Sequence, residues 1–433
     1  MKSRILTYIS TLTLFVALAM PVRPAAQEQQ QEQNKEHHRY RVTDLGTLGG
    51  TSSVAESVNN KGWANGFSTL KGNQKTHATL WVQGLKLDLS TLGGPNSIAG
   101  FPISESGEVS GWSETSTPDP NGEDFCFFGT HLTCLPFLWQ NGVISSLPTL
   151  GGNNGLAAEI NNRGQVVGDT ENTTPDPTCV APQVFQFEPV LWEKGKIQQQ
   201  FPTVSGDPDG VANGINDAGQ AAGASGNCTT AFHAVLWENG TVTDLGNLGG
   251  TMNNFAVDIN NQGQVVGQSD LPGDTTHHAF LWQHHAMTDL GTLPGDVASF
   301  ADGLNNKGQV VGFSTDASGN MRAFLWQNGV MTDLNTLVPP GSPFLLAALN
   351  INSRGEIAGF AQKSTGEIHA FLATSCDQDD VNTEGCRNDD ADTPGTRSGT
   401  NESPRVTLPD NVRKLVQRRL RFGRFGAGPM RPQ

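Results

Sequence analysis

The clearest pattern of apolar and polar positions is the stretch 323–334 (AFLWQNGVMTDL), which predicts two short strands joined by a tight turn. Asn328-Gly329 favours a type I′ hairpin, because both central residues of that turn need a positive φ angle. In this register Trp326 faces Met331 across the hairpin. The same unit recurs as VLWENGTVTDL (235–245), FLWQHHAMTDL (280–290) and, degraded, FLWQNGVISSL (137–147).

A second pattern occurs seven times. It consists of an apolar residue, then Asn or a substitute, then two variable residues and Gly. The turn glycines are 44 to 57 residues apart. Each repeat contains four short apolar runs bounded by turn-forming residues, and none of the runs has a helical period. The first residues of the seven predicted turns are Asn59, Ser104, Asn161, Asn216, Asn260, Asn305 and Asn352.

Four strands per repeat of about 45 residues is typical of a β-propeller blade. The sequence therefore predicts an all-β fold, a seven-bladed β-propeller over residues 40–375. A parallel β-helix is the alternative, although its coils are shorter. Residues 40–45 (YRVTDL) match the second half of the hairpin, and residues 369–374 (HAFLAT) match the first half. Pairing of these N- and C-terminal strands would close the ring and remove exposed sheet edges.

The segments outside the repeats differ from them in composition. Residues 1–26 resemble a signal peptide, with a basic start, an apolar run and small residues at the end. A single N-terminal anchor helix is the alternative, although the apolar run is short for one. Residues 27–39 are predicted to be a disordered linker, and residues 376–433 a disordered tail that is first acidic and then basic. Within that tail, 409–424 could form a short basic helix that makes weak contact with an anionic membrane surface; a solvated tail is the alternative.

Composition and charge narrow the function classes. Without residues 1–26 the chain has 24 Lys and Arg against 42 Asp and Glu, a net charge of −18. Such an acidic protein is a poor nucleic-acid binder. Six cysteines in an exported chain predict disulfides, and we expect the local pairs 126/134, 179/228 and 376/386. The absence of any C-x-x-C motif argues against zinc.

The chain contains the triplets His278-Ala279-Phe280 and His369-Ala370-Phe371 and the phrases DLGTLGG (44–50) and INNQGQVVG (259–267). In these motifs it resembles the HAF-repeat family of exported bacterial proteins. The resemblance covers 40–374. It implies export, to the periplasm or the extracellular space, and a repeat fold, but no activity that could be carried to a residue. Two repeats depart from it at Pro136 and Pro189, which should weaken their strands.

The histidines at the repeated position, His77, His233, His278 and His369, are the most conspicuous candidates for chemistry. We predict that each anchors its own blade, for instance by bonding the Asp of a Thr-Asp-Leu strand, rather than binding metal at the axis. The pair His284-His285 replaces Asn-Gly in a hairpin and should be exposed. The oxygen-rich segments 207–210 and 316–320 are interpreted as turns rather than calcium loops. Trp63 and Trp112 lie outside the Leu-Trp pattern and are weak candidates for sugar stacking.

Two functions remain open. The first is a monomeric, non-enzymatic binding or scaffold module whose partner, a protein or a glycan, contacts the insertions 113–136 and 169–189 of repeats two and three. The second is a secreted glycan lyase or hydrolase that uses a carboxylate in the central channel. We predict no catalytic, cofactor-binding or metal-binding residue; the carboxylates that the second hypothesis would need are Glu56, Glu105, Glu159 and Asp258.

Overall fold

Short antiparallel strands make up nearly all of the regular structure, as the pattern predicts. The computed structural model describes residues 40–376, 408 and 412–413, and residues 40–376 contain 28 strands and one 3₁₀ turn, Leu334–Thr336. The predicted signal peptide and linker, and nearly all of the predicted tail, lie outside the described residues. No helix in the described part of the chain is long and apolar enough to cross a membrane.

The strands follow one another in the chain with short connections. Their bounds are β1 (Tyr40–Asp44), β2 (Gly49–Val58), β3 (Ala64–Leu70), β4 (Thr76–Val82), β5 (Leu85–Asp88), β6 (Ser97–Ala99), β7 (Val109–Pro118), β8 (Leu132–Gln140), β9 (Val143–Ser146), β10 (Gly155–Ile160), β11 (Gln165–Pro175), β12 (Phe185–Glu193), β13 (Lys196–Gln200), β14 (Asp209–Ile215), β15 (Ala221–Asn227), β16 (Thr230–Glu238), β17 (Thr241–Asp244), β18 (Asn254–Ile259), β19 (Val265–Asp270), β20 (His277–Gln283), β21 (Ala286–Asp289), β22 (Ala298–Leu304), β23 (Val310–Thr315), β24 (Met321–Gln327), β25 (Val330–Asp333), β26 (Phe344–Ile351), β27 (Ile357–Gln362) and β28 (Ile368–Ser375).

Five sheets contain four consecutive strands each, paired in chain order. The hairpin between the third and fourth strands has the predicted register, since Trp326 pairs with Met331 and Gln327 with Val330. Its turn residues Asn328 and Gly329 have φ angles of 52° and 83°. The Asn-Gly sequence therefore fixes the turn, and the turn fixes which side chains face each other.

The remaining eight strands form one sheet that joins the beginning of the repeat array to its end. Strand β1 pairs antiparallel with β28 along its whole length, from Tyr40 opposite Ser375 to Asp44 opposite Phe371. A single parallel bridge, Ser52 to Ile368, connects β2 to the same strand. The two half-hairpins that the sequence leaves without local partners are thus each other's partners.

A Gly–Phe pair explains the recurring Val-Val-Gly and His-Ala-Phe phrases. Gly312 on the second strand of its sheet lies opposite Phe324 on the third. A Cβ atom on Gly312 would lie 2.9 Å from Phe324 Cζ and 1.9 Å from the Phe300 carbonyl oxygen. Gly359 meets Phe371 in the same way. Because the glycine has no side chain, the aromatic ring lies over its backbone and both residues are buried.

The apolar core lies between neighbouring sheets. Val167 and Leu191 of the third repeat form one cluster with Ala212 and Trp237 of the fourth. Ala55 and Trp81 of the first repeat share another cluster with Ala358 and Ala370 of the seventh. The leucine–tryptophan pairs are therefore core residues. Pro136 and Pro189 lie within β8 and β12, each of which has nine residues, so the prolines do not end these strands.

Candidate functional site

The seven repeat turns, six beginning with Asn and one with Ser104, lie side by side and form what we call the turn face. Each Asn holds its own turn: Asn161 Oδ1 accepts hydrogen bonds of 3.0 Å from the backbone N–H groups of Arg163 and Gln165. Gly164 completes this turn with a φ angle of 74°. The amide Nδ2 of Asn161 is left to donate outward, to the backbone oxygen of Asn216 in the next repeat, at 3.0 Å.

This outward bond is repeated around the turn face. Every turn that begins with Asn donates from Nδ2 to the first turn residue of the following repeat, and the seventh turn donates back to the first. The bonds run from Asn59 to Ser104, Asn161 to Asn216, Asn216 to Asn260, Asn260 to Asn305, Asn305 to Asn352 and Asn352 to Asn59.

Ser104 has no amide to donate, but its neighbour Glu105 links the second turn to the third. The backbone N–H of Glu105 donates to Asn162 Oδ1 at 2.9 Å, and Glu105 Oε1 accepts from the backbone N–H of Asn60. Asp217 and Asn261 make the same kind of contact in later repeats. The turns are therefore linked from each repeat to the next.

A cavity of about 140 Å³, the turn cavity, lies beneath these turns and is lined by residues of all seven repeats. Two of the predicted carboxylates, Glu159 and Asp258, line it from the same repeat position, two residues before the turn Asn. Asp258 accepts hydrogen bonds from the backbone N–H groups of Leu304, at 3.0 Å, and Ile259, at 2.7 Å. Glu159 accepts from the N–H of Ile215.

Both carboxyl groups titrate above their usual range. Burial raises the pKa of Asp258 to about 6. Burial, together with the negative charge of Asp258, raises the pKa of Glu159 well above its ordinary value. A carboxyl group that stays protonated near neutral pH can act as a general acid. The cavity is smaller than the roughly 300 Å³ of typical ligand pockets, so it admits water or an ion more readily than a sugar ring.

The other two predicted carboxylates behave differently. Glu105 lies on the rim of the turn cavity, where its side chain bonds Asn60. Glu56 is buried one position earlier in the repeat and does not line the cavity. The sequence named all four carboxylates as candidates, and the structure places Glu159 and Asp258, but not Glu56, at the turn cavity.

The prediction that the repeated histidines anchor their own blades is confirmed by their hydrogen bonds. His233 Nδ1 lies 2.9 Å from Asp244, and His278 Nδ1 lies 2.9 Å from Asp289. His77 bonds Asp88 in the same way. His369 bonds Asp44 at 2.8 Å and so links β28 to β1.

The additional histidines do not form one site. His284 and His285 occupy the hairpin turn with positive φ angles and are exposed, as predicted. His277 is instead packed against Phe300, with ring centroids 4.3 Å apart. Burial lowers the pKa of His277 to about 4, so it is neutral at physiological pH.

The two remaining groups of candidates have structural contacts. Asp316 Oδ1 accepts from the backbone N–H groups of Ser318 and Asn320, which confirms a turn in this segment. Trp112 is only 4% exposed and belongs to the core, so it offers no face to a sugar. Trp63 is partly buried, and the Lys61 ammonium lies 5.0 Å from its ring centroid.

The opposite ends of the strands carry the two insertions, 113–136 and 169–189, which we call the insertion surface. Two of the predicted disulfides are present: Cys126–Cys134 lies within the first insertion, and Cys179–Cys228 connects the second insertion to repeat four. Cys376 is also disulfide-bonded, and Cys386 lies outside the described residues. Disulfides are typical of proteins that fold in oxidising compartments.

A buried polar centre holds the two insertions together. Asn154 Oδ1 accepts from the backbone N–H of Cys134, which turns Nδ2 towards Asp119, Glu123 and Glu171 at 2.9 to 3.1 Å. Glu123 Oε1 also accepts from the backbone N–H of Val184, in the second insertion. Sequence reasoning missed this centre, although its Asn154–Glu171 bond repeats the Asn96–Glu114 bond of the second repeat.

Apolar side chains are exposed on the insertion surface. Val180 is 64% exposed at the tip of the second insertion, although it is a large apolar residue. Phe127, Phe128 and Phe185 are half-buried around the two insertions. The single cluster of potential metal ligands among the described residues, Asp176 with Cys179 and Cys228, contains two sulfurs already used in a disulfide.

No protein-family model matches the chain, and no curated protein matches it, so the resemblance to the HAF-repeat family stays a prediction. Among solved structures it is similar to the Pyrococcus horikoshii acylaminoacyl peptidase, at 12% identity and a TM-score of 0.44, over 76% of this chain and 52% of that one. The chain therefore spans about half the length of that peptidase.

Two further solved structures match this chain over most of their own length. The Xanthomonas campestris gluconolactonase matches at 9% identity and a TM-score of 0.34, over 78% of this chain and 96% of that one. The Aleuria aurantia fucose-specific lectin matches at 9% identity and a TM-score of 0.30, over 74% and 91%. At such values they carry no argument about activity.

Proposed function

We propose that the seven repeats form a closed seven-bladed propeller. Three observations support the proposal: the pairing of β1 with β28, the apolar cluster shared by the first and seventh repeats, and the Asn352–Asn59 bond that returns the turn-face contacts to their start. An open coil would leave two terminal sheets without these neighbours. The comparison of truncations described in the Discussion tests the closure.

The function that the geometry supports best is that of an exported, non-enzymatic binding module whose partner contacts the insertion surface. The observation that carries it is the exposed side chain of Val180, with the half-buried Phe127, Phe128 and Phe185, on two insertions that a disulfide and Asn154 fix in place. Rigid apolar contacts favour binding, because little conformational entropy is lost when the partner arrives. A glycan or a protein is the partner class that we propose.

A glycan array and a set of purified cell-surface proteins, probed with the full chain, test this placement. A ligand that binds wild-type protein should bind Val180→Asp at least about tenfold more weakly. The matched control is Val143→Asp, since Val143 is 60% exposed in a hairpin outside the insertions. A ligand that binds both variants equally well would place the site elsewhere.

The second candidate function is a glycan hydrolase or lyase that uses Glu159 and Asp258. The elevated pKa values of these two carboxyl groups favour it, and the small size of the turn cavity opposes it. A screen of polysaccharides and glycosides tests it: turnover that Glu159→Gln abolishes and Glu188→Gln preserves would establish the enzyme. Glu188 is a suitable control, because burial raises its pKa to about 7 and it does not line the turn cavity.

A further inference from the structure

A groove of about 550 Å³ lies between repeats two and three, and we call it the repeat-2/3 groove. Repeat two contributes residues of β8 and β9, and repeat three contributes its turn, 162–164, and its hairpin end, 193–195. Sites for small molecules have volumes of roughly 300–1,000 Å³, so this groove, unlike the turn cavity, has the size of a ligand site. Its lining residues all lie outside the two insertions.

In later repeats a hydrogen bond between two side chains connects the turn to the neighbouring strand end. Gln264 Nε2 donates to Gln283 Oε1 at 2.7 Å in repeat five. In repeat six, Gln309 Nε2 donates to Gln327 Oε1 at 2.8 Å. Each bond joins the residue after the turn glycine to the last residue of the third strand, so the two side chains satisfy each other.

Repeat two lacks this bond and leaves polar side chains at the groove. Glu108 bonds within its own turn, and the Gln140 amide has no hydrogen-bond partner among the described residues. Ser145 and Ser146 replace the Thr-Asp of other repeats, and neither hydroxyl is bonded in the described part of the chain. Leu138 is half-buried, whereas the leucines of the other five Leu-Trp pairs are buried. This wall therefore offers an amide, two hydroxyls and an apolar surface.

Repeat three supplies the charges of the groove. Gln165 Oε1 accepts from Arg163 Nε and Nη2, at 3.1 and 2.6 Å, which fixes the exposed guanidinium and leaves Glu193 without the glutamine bond. The Lys194 ammonium, 89% accessible, lies 3.6 Å from Glu193. Two cations at one groove are notable in a chain with 27 Lys and Arg against 42 Asp and Glu. This wall can therefore attract an anionic group.

We propose that the repeat-2/3 groove binds an acidic saccharide, a short oligosaccharide whose sugar rings carry carboxylates. Arg163 and Lys194 hold a carboxylate, because charge-assisted hydrogen bonds are the strong ones. The free amide and hydroxyls of repeat two, with Glu193, bond sugar hydroxyls, and Leu138 packs against ring carbons. Both flanking repeats depart from the repeat pattern at these positions, and such departures are expected at functional sites. The groove is separate from the proposed partner site on the insertion surface.

Calorimetric titration of the full chain tests the groove with four probes, the trimers of galacturonate, glucuronate, mannuronate and guluronate. The matched neutral probes are the methyl esters of the same trimers. At least one acidic trimer should bind, and its methyl ester should bind at least about tenfold more weakly, because the ester has no charge for Arg163 and Lys194. Equal binding of acid and ester, or no binding of any acidic trimer, would overturn the proposal. Tighter binding of triglycine than of every acidic trimer would also overturn it, in favour of a zwitterionic peptide.

Variants of the full chain locate the bound trimer. Arg163→Gln should weaken its binding at least about tenfold, because the guanidinium no longer meets the carboxylate. The matched control is Arg354→Gln, which should bind like wild type. Arg354 has the same turn position in repeat seven, and its Nη2 donates to Glu356 at 2.6 Å, but it does not line the groove. Binding to Arg163→Gln as tight as to wild type would contradict the proposal.

A second pair of variants separates this groove from the insertion surface. Ser146→Asp restores the residue found in other repeats and should weaken binding of the trimer, since two carboxylates then repel each other. Val180→Asp, on the second insertion, should bind the trimer like wild type. A trimer that Val180→Asp loses and Arg163→Gln retains would occupy the insertion surface, so that this proposal would fail while the proposed function would stand.

Discussion

The turn face and the insertion surface use opposite means to hold loops in place. On the turn face, an asparagine at one repeat position makes the same hydrogen bond in successive repeats, from Asn161 to Asn216 and from Asn216 to Asn260. On the insertion surface, a disulfide and a single asparagine, Asn154, hold segments that occur once. Periodic contacts are shared among neighbours, whereas the contacts of the insertion surface are individual. The periodic face links neighbouring repeats, and the irregular face is the one that we propose as the binding surface.

The largest effect on stability is expected from the removal of β1, because both faces depend on its pairing with β28. Deletion of 40–44 removes Tyr40, which is 1% exposed, and the Asp44–His369 bond. We expect the melting temperature to fall by roughly 10 °C or more, since several kcal/mol of buried contacts are lost. Deletion of 27–39 should leave it unchanged. Calorimetry on both truncations checks this, and equal melting temperatures would refute the closed ring.

The disulfides give a sharper test of the insertion surface. Cys179→Ser/Cys228→Ser opens a loop with a sequence separation of 49, against 8 for Cys126→Ser/Cys134→Ser. In the loop-entropy model each disulfide contributes about 2–4 kcal/mol to the free energy of unfolding. The disulfide that closes the longer loop contributes about 1.5 kcal/mol more than the other. Urea denaturation measures both variants. Hydrogen exchange should increase at 176–187 and stay constant in the turn at 260–263; faster exchange in both places would mean that the two faces are not independent.

On the turn face, the equivalent test is Asn260→Ala. This change removes three bonds within its own turn and the donor to the buried Asn305 oxygen. We expect a loss of about 1–3 kcal/mol, because buried polar groups lose their partners. Asn261→Ala is the matched comparison, since Asn261 is the exposed next residue and its side chain loses only the two exposed bonds to Asp217. If chemical denaturation gave equal losses for the two variants, the buried bond would not be what stabilises the turn.

The smallest expected effect is a dependence of stability on pH that arises in the turn cavity. The folded-state pKa of Asp258, about 6, lies above its ordinary value of 3.8. The folded state therefore binds more protons, so this contribution is fully present below about pH 4 and is lost as pH rises through 6. At neutral pH, Asp258→Asn should be more stable than wild type by about 1–2 kcal/mol, and the difference should vanish near pH 4.

Denaturation of both proteins between pH 4 and pH 7 measures this difference. Asp316→Asn is the control with the opposite sign, because three hydrogen bonds from Ser318 and Asn320 hold the pKa of Asp316 below its usual range. A difference between Asp258→Asn and wild type that does not change with pH would contradict the assignment.

The repeat residues explain how much of this protein can be predicted from its sequence. Asn328-Gly329 and the Trp326–Met331 pair act locally, and the predicted hairpin and register are confirmed. The His–Asp bonds were predictable because both partners recur together. Asn154 and its carboxylates were not predictable, because they meet only after the two insertions have folded against each other. Glu56 and Glu159 occupy adjacent repeat positions, and a shift of one residue in a strand reverses the side that a side chain faces.

The pairing of β1 with β28 has a consequence for the biosynthesis of the protein. The two strands are far apart in the sequence, with a separation of 325 positions from Asp44 to His369, yet they are neighbours in one sheet. A ribosome delivers the first strand long before the last, so β1 must wait without its permanent neighbour while six further repeats emerge. Contacts between such distant segments form slowly, and unpaired strand edges promote aggregation in the meantime. Chaperones that shield β1 during this interval should therefore raise the yield of native protein.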